Sequence, residues 1–230
     1  MEPYAGTTLT GLSTIIAGIG ALGTAAFGLV DAFKALPGGG ISRAGFKFIR
    51  ETILKLAPKV PALDDTGLSQ DSVLHSLQSQ WINGSTAMTD QVNIAKSLIK
   101  LRLTPETAAA LAKATGVDAD TLSQVAANIQ SGTALTTQQS DVYGRFDLLL
   151  ATLLNQAYQR GEQRYRNIAK FTAVPVAIAL AVTAAYVVPN QITIGRAILL
   201  GLIATPVAPV AKDLSSAITT AVQAIQSWQR

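Results

Sequence analysis

The residues best spaced for acid–base chemistry are Asp71 and His75, which lie four positions apart. A helix would place both side chains on one face, where an imidazole and a carboxylate together can act as a general base. No nucleophile is marked beside them, and a lone surface histidine is far commoner than a catalytic one. We therefore expect no enzyme activity, and a membrane-anchored enzyme is the last of our functional alternatives.

Metal and cofactor chemistry has little support in the sequence. The chain has no cysteine and one histidine, which excludes thiolate sites and a histidine-rich metal site within one chain. Gly18, Gly20 and Gly23 match the front of a dinucleotide-binding fingerprint, but no strand pattern precedes them and the segment is predicted to cross a membrane. We expect neither a metal nor a cofactor.

The segment from Leu111 to Ser123, with its central glycine turn and its Thr-Leu-Ser opening of a second helix, resembles the helix-turn-helix of bacterial repressors. The resemblance implies a second helix that reads DNA, which needs cations for the phosphates. That helix instead brings Asp118 and Asp120, and no Lys or Arg occurs between Lys113 and Arg145. We expect a compact helical hairpin and no nucleic-acid partner.

The composition points away from an ordinary soluble enzyme. Of the 230 residues, 49% are apolar and 14% are charged, against about 25% charged residues in a typical soluble domain. Residues 3–30 and 171–195 carry no charge, and Pro189-Asn190 divides the second stretch. A helix needs ~20 apolar residues to cross the hydrocarbon core. These stretches predict one transmembrane helix within residues 1–36 and a transmembrane hairpin over 168–211.

Positive charge sets the predicted orientation, because loops rich in Lys and Arg stay in the cytoplasm. Such residues gather after the first span, before the second and after the third, whereas the opposite side has only Arg196. We expect a bacterial inner-membrane protein with its N-terminus outside and its C-terminus in the cytoplasm. Its partners would be the bilayer, with anionic lipids at the cytoplasmic face, and further copies of itself.

Small residues repeat every four positions along the first span. Such rows let helix backbones approach closely. The partner is either the hairpin of the same chain or the same span of a second chain, and the spacing does not decide between them. The first row is Ala17, Ala21 and Ala25, and the second row is Gly20, Thr24 and Gly28.

Two prolines, Pro206 and Pro209, lie in the third span. Each removes a helical hydrogen bond and frees a carbonyl, which at membrane depth needs a partner or a water-lined cavity. The simpler interpretation is a bend that leads into the tail. The alternative is a kink that coordinates an ion or gates a pore.

Residues 37–62 hold a predicted amphipathic helix and a linker. An apolar stripe beside a basic face is typical of a helix in the membrane interface. The alternative is a helix that packs on its own domain. The stripe is Phe46, Ile49, Ile53 and Leu56, and the membrane-surface basic residues are Arg43, Lys47 and Arg50.

Residues 63–167 show no strand alternation and are predicted to form short helices that end in a long stalk. Thr104-Pro105 begins one short helix that ends at Gly116, and Asp118 begins the next, which ends at Gly132.

From Thr137 an apolar stripe that includes Phe146 and Leu150 predicts a helix that continues into the second span, up to Val188. Such a helix would be about 75 Å long.

Residues 212–230 form a weakly charged amphipathic helix in our interpretation, with Leu214, Ala221 and Trp228 on its apolar face. Such a face is unstable alone in water. It is predicted to pack on the stalk, on the membrane or on another subunit.

Together these patterns predict an all-α integral membrane protein with three transmembrane helices and a helical cytoplasmic region between the first and the second. The expected function is that of a non-enzymatic membrane protein that self-associates into a homo-oligomer and presents a cytoplasmic helical docking region. The alternative is a passive channel or pore formed by the oligomer.

Overall fold

The computed structural model describes residues 4–33, 40–63, 66–84, 86–187 and 193–228. Within these ranges the chain forms eight α-helices and one short 3-10 helix, with no strand, which confirms the predicted all-α class. In chain order they are α1 (Tyr4–Ala32), α2 (Ser42–Leu56), the 3-10 helix (Pro61–Leu63), α3 (Gln70–Asn83), α4 (Met88–Leu101), α5 (Pro105–Thr115), α6 (Ala119–Ser131), α7 (Thr137–Val187) and α8 (Ile194–Trp228).

The chain divides into two compact units. We call Met1–Leu36 together with Arg166–Arg230 the span unit, and Pro37–Tyr165 the inserted unit. The division falls inside α7, so this one helix belongs to both units.

Three of the described helices are long and apolar enough to cross a membrane. Two of the stretches are Thr14–Ala32 of α1 and Ile194–Ala211 of α8, and the third belongs to α7. At 51 residues, α7 is much longer than a single span, which needs about 20. Its charge-free C-terminal part corresponds to the predicted second span. The orientation of the three helices across a membrane stays a prediction.

The C-terminal tail differs from its prediction as a separate helix. Helix α8 continues from Ile194 to Trp228 and therefore includes the third span and most of the tail. No glycine or proline occurs between Pro209 and Trp228, so nothing in the local sequence ends the helix at the predicted boundary between Ala211 and Lys212. The predicted continuous helix from Thr137 is present as α7, which ends at Val187, and its role as a stalk stays a prediction.

The caps predicted for the two central short helices are confirmed. The Thr104 side chain accepts a hydrogen bond from the backbone N–H of Thr107 at the start of α5, and Asp118 caps α6 in the same way. Gly116 and Gly132 end these helices at φ 73° and φ 70°, a left-handed conformation that favours glycine.

The core of the inserted unit takes side chains from all six of its helices. Helices of 11–15 residues are marginal alone in water, so this shared core stabilises them. The fully buried side chains include Ile49 and Ile53 of α2, Leu77 of α3, Ile99 of α4, Leu111 of α5, Leu122 of α6 and Phe146 of α7.

The core of the span unit is built from small residues instead. Ala181 and Ala185 of α7 cluster with Ala197 of α8. A Cβ added at Gly201 of α8 would lie 2.5 Å from the Cα of Ile178 in α7. Such close backbone contact is the usual way in which apolar helices pack when lipid, rather than water, surrounds them.

Candidate functional sites

The predicted acid–base pair lies on an open face of α3. Asp71 and His75 are both exposed, and the neighbouring side chains on this face are serines and a glutamine. The carboxylate of Asp71 is 3.8 Å from the ammonium of Lys59, so its ion pair is with that lysine. The arrangement offers neither an enclosed pocket nor a nucleophile oriented by the imidazole.

No metal-binding cluster occurs in the part of the chain that the structure describes, where no three His, Asp or Glu side chains come together. Gly18, Gly20 and Gly23 all lie inside α1 and not in a loop after a strand. A dinucleotide phosphate would need free backbone N–H groups at the start of a helix, which the middle of α1 does not offer.

Helices α5 and α6 form the expected hairpin around Gly116. The start of α6 is acidic, because Asp118 and Asp120 are both exposed there. The hydrogen bond from the Thr121 side chain, followed by that from its backbone N–H, lowers the pKa of Asp118 and keeps the carboxylate ionised. An ionised carboxylate at this position repels phosphate, and the absence of a nucleic-acid partner stays a prediction.

The apolar stripe of α2 is part of the core, which corrects its assignment to a membrane interface. Phe46, Ile49, Ile53 and Leu56 are all buried among apolar side chains of the inserted unit. A side chain buried in protein cannot also insert among lipids, so the alternative of a helix packed on its own domain describes α2.

The basic face of α2 is exposed, as predicted. Arg43, Lys47 and Arg50 all point away from the core, and Lys47 is 3.9 Å from Glu51 in an exposed ion pair. Contact of this face with anionic lipid stays a prediction.

The two rows of small residues on α1 differ in their surroundings. Gly20 is buried against α8, where an added Cβ would collide with Ala211. The other five residues of the two rows are exposed in the single chain. Those five are Ala17, Ala21, Thr24, Ala25 and Gly28.

Sequence reasoning missed Gly23, Ala26 and Val30, which are buried on the same face of α1 as Gly20. The signal that would have found them is the spacing of three or four residues between Gly20, Gly23, Ala26 and Val30, which places all four on one face of the helix.

Pro206 and Pro209 lie inside α8, which continues through both of them. Both prolines are exposed, whereas Thr205 beside them is buried. The tail residues Leu214 and Trp228 belong to α8, but their side chains lie outside the described part, and Ala221 is exposed.

An ion cluster that the sequence did not reveal connects α4 to α7. The carboxylate of Asp147 accepts hydrogen bonds of 3.0 Å from the ammonium groups of Lys96 and Lys100. The ammonium of Lys100 also lies 4.9 Å from the centre of the Tyr143 ring. Because these residues are distant in sequence, no local spacing could have paired them.

The two lysines hold Asp147 in its charged form. Burial alone would raise the pKa of Asp147, but the hydrogen bonds from Lys100 and Lys96 outweigh burial, and the pKa is lowered. Burial alone would lower the pKa of Lys100, yet hydrogen bonds with Tyr143 and Asp147 raise it.

We expect Asp147→Asn to reduce the free energy of unfolding by about 1 kcal/mol, since the cluster is partly exposed. A carboxylate with a lowered folded-state pKa stabilises the protein above its unfolded pKa of about 4 and loses this effect as the pH falls through the folded-state pKa. The variant should therefore lose less stability on acidification than the original chain. Thermal unfolding from neutral pH to about pH 3 measures this, with the exposed Asp141→Asn as control. Equal acid sensitivity of both variants would contradict the prediction.

No protein family model matches the chain, and no match was found among the curated proteins or the solved structures.

Proposed function

We propose that the protein is a non-enzymatic integral membrane protein that self-associates into a homo-oligomer. The observation that carries this proposal is the exposed alanine row, Ala17, Ala21 and Ala25 of α1. Gly20 and Gly23 on another face of the same helix already supply its packing on α8. The alanine row thus forms a second face without large side chains, and the α1 helix of a neighbouring chain could pack closely against it.

The inserted unit would act as the docking region. Three large apolar side chains are exposed on it, with Leu101 at 65%, Ile129 at 47% and Leu148 at 67% of their full accessibility. Contiguous apolar patches mark protein contact sites, whereas single exposed apolar side chains are ordinary, so these three side chains define the positions at which docking would be tested. This unit would face the cytoplasm, as the distribution of Lys and Arg predicts.

Native mass spectrometry of the full-length protein in detergent tests self-association. We expect one closed oligomer for the original chain. Ala21→Leu should weaken association at least about tenfold, which corresponds to ~1.4 kcal/mol, because the larger side chain holds the two backbones apart.

The matched control is Ala184→Leu, which adds the same volume at an exposed alanine of α7. It should leave the oligomer unchanged. A monomeric original chain, or equal dissociation of the two variants, would contradict the proposal.

A further inference from the structure

A cleft of about 410 Å³ lies in the span unit beside the two prolines of α8. Pro206 and Pro209 have no N–H, so the carbonyls of Leu202 and Thr205 lack their usual helical donors. Freed carbonyls in an apolar helix need a polar partner. Thr205, one of these two residues, lines the cleft together with both prolines.

The hydroxyl of Thr205 has no hydrogen-bond partner within the described residues, although the residue is only 6% exposed. Other threonines of the span unit behave differently. The hydroxyls of Thr24, Thr172 and Thr183 each donate to the carbonyl four residues earlier, at 2.8–2.9 Å. A buried polar group without a partner calls for an explanation, and Thr205 lines the cleft. The hydroxyl oxygen is itself buried, so a molecule bound in the cleft would reach it through a rotation of the Thr205 side chain.

Lys170 lines the same cleft and is exposed. It takes part in no ion pair with any residue that the structure describes. It is also the last charged residue before the charge-free residues 171–195, which places its ammonium at the predicted boundary between headgroups and hydrocarbon. The rings of Phe27 and Phe171 supply the apolar walls of the cleft.

We propose that this cleft binds one anionic phospholipid per chain. The Lys170 ammonium would pair with the phosphate, the Thr205 hydroxyl would donate to an ester carbonyl, and an acyl chain would lie against Phe27 and Phe171. A cation, a buried hydroxyl and aromatic walls match the three chemical parts of such a lipid. The site is contained in one chain, so it does not depend on self-association.

The test is native mass spectrometry of the delipidated full-length protein, titrated with phosphatidylglycerol and phosphatidylcholine that carry identical acyl chains. The original chain should retain one phosphatidylglycerol with about tenfold preference. Lys170→Gln should abolish the preference for phosphatidylglycerol, whereas Lys170→Arg, which keeps the positive charge, should retain it. Thr205→Val should weaken retention of both lipids about threefold, as expected for the loss of one hydrogen bond.

Two control variants match these changes. Arg164→Gln removes an exposed cation of α7 that does not line the cleft, and Thr183→Val removes a hydroxyl that already has a helical partner. Both should bind the two lipids as the original chain does. Equal retention of the two lipids by the original chain would overturn the proposal, as would equal losses in Lys170→Gln and Arg164→Gln. Lys170→Arg and Thr205→Val keep the test decisive if Lys170→Gln does not fold.

Discussion

Replacing Gly45 by alanine is expected to lower the free energy of unfolding by about 3 kcal/mol, a large share of the stability of a small domain. Helices α2 and α7 cross where Gly45 meets Gly161. A Cβ on Gly45 would lie 2.6 Å from the carbonyl oxygen of Gly161 and 2.9 Å from Cζ2 of Trp81. The nearest obstacle is backbone, so relief requires one helix to move away from the other.

The movement would also disturb the contacts of Trp81. Its indole N–H donates to the carbonyl of Ser42 at 2.9 Å, and its ring meets Tyr158 edge-on at 6.1 Å between centroids. The variant should therefore change the fluorescence of Trp81 as well as the midpoint of thermal unfolding. A Trp228→Phe background removes the second of the two tryptophans and makes this signal specific.

Gly144 of α7 offers the matched control because, like Gly45 of α2, it is a glycine inside a helix. A Cβ there has no atom within 4 Å. Gly144→Ala should stabilise the protein by about 0.5–1 kcal/mol, since alanine loses less backbone entropy in a helix. If Gly45→Ala were as stable as Gly144→Ala, the close crossing of α2 and α7 would be wrong.

Local signals in the sequence were sufficient for much of the fold. The apolar stretches identify the three candidate spans because a span is recognised from its length and its apolar composition, both of which are local properties of the sequence. The Thr104-Pro105 cap and the glycine that ends α5 could be read directly because capping involves residues within one turn. These features need no knowledge of any distant part of the chain.

The environment of α2 could not be read in the same way. The spacing of Phe46, Ile49 and Ile53 shows that one face must be buried, but either lipid or protein can cover such a face. Protein covers it here because apolar residues of the other helices, Leu77 and Phe146 among them, join the same core. Their pairing with α2 depends on tertiary packing, which a single periodic pattern does not contain.

The candidate sites were less predictable than the fold, because they combine residues from separate helices. The cleft brings Phe27, Lys170 and Thr205 together from three helices. The prolines indicated that carbonyls would be freed, but not that Thr205 would be buried without a partner. Likewise, nothing in the local sequence marked Arg102 as a buried residue.

Arg102 is expected to give the second large effect. Its side chain is 1% exposed, and its guanidinium donates to the carbonyls of Leu68 and Pro58. Its own carbonyl accepts a hydrogen bond of 2.6 Å from the hydroxyl of Thr107. Arg102 therefore connects the segment between α2 and α3 to the turn between α4 and α5.

Arg102→Met should reduce the free energy of unfolding by about 3 kcal/mol, because it leaves two partly buried carbonyls without their charged donor. Arg102→Lys should reduce the free energy of unfolding by about half as much. The lysine ammonium keeps the charge, but it is compact and cannot donate to both carbonyls as the planar guanidinium does. Chemical denaturation of the full-length protein in detergent, followed by Trp81 fluorescence in the Trp228→Phe background, measures both changes.

Arg145→Met is the matched control, because Arg145 is an exposed arginine of α7. Its substitution should change stability by no more than about 0.5 kcal/mol. From most to least stable, the order of the variants should therefore be Arg145→Met, Arg102→Lys and Arg102→Met. If Arg102→Met matched the control, the two carbonyls would have other donors in solution and Arg102 would not hold the segment before α3. If Arg102→Lys matched the original chain, charge alone would be sufficient, and the forked geometry of the guanidinium would contribute nothing.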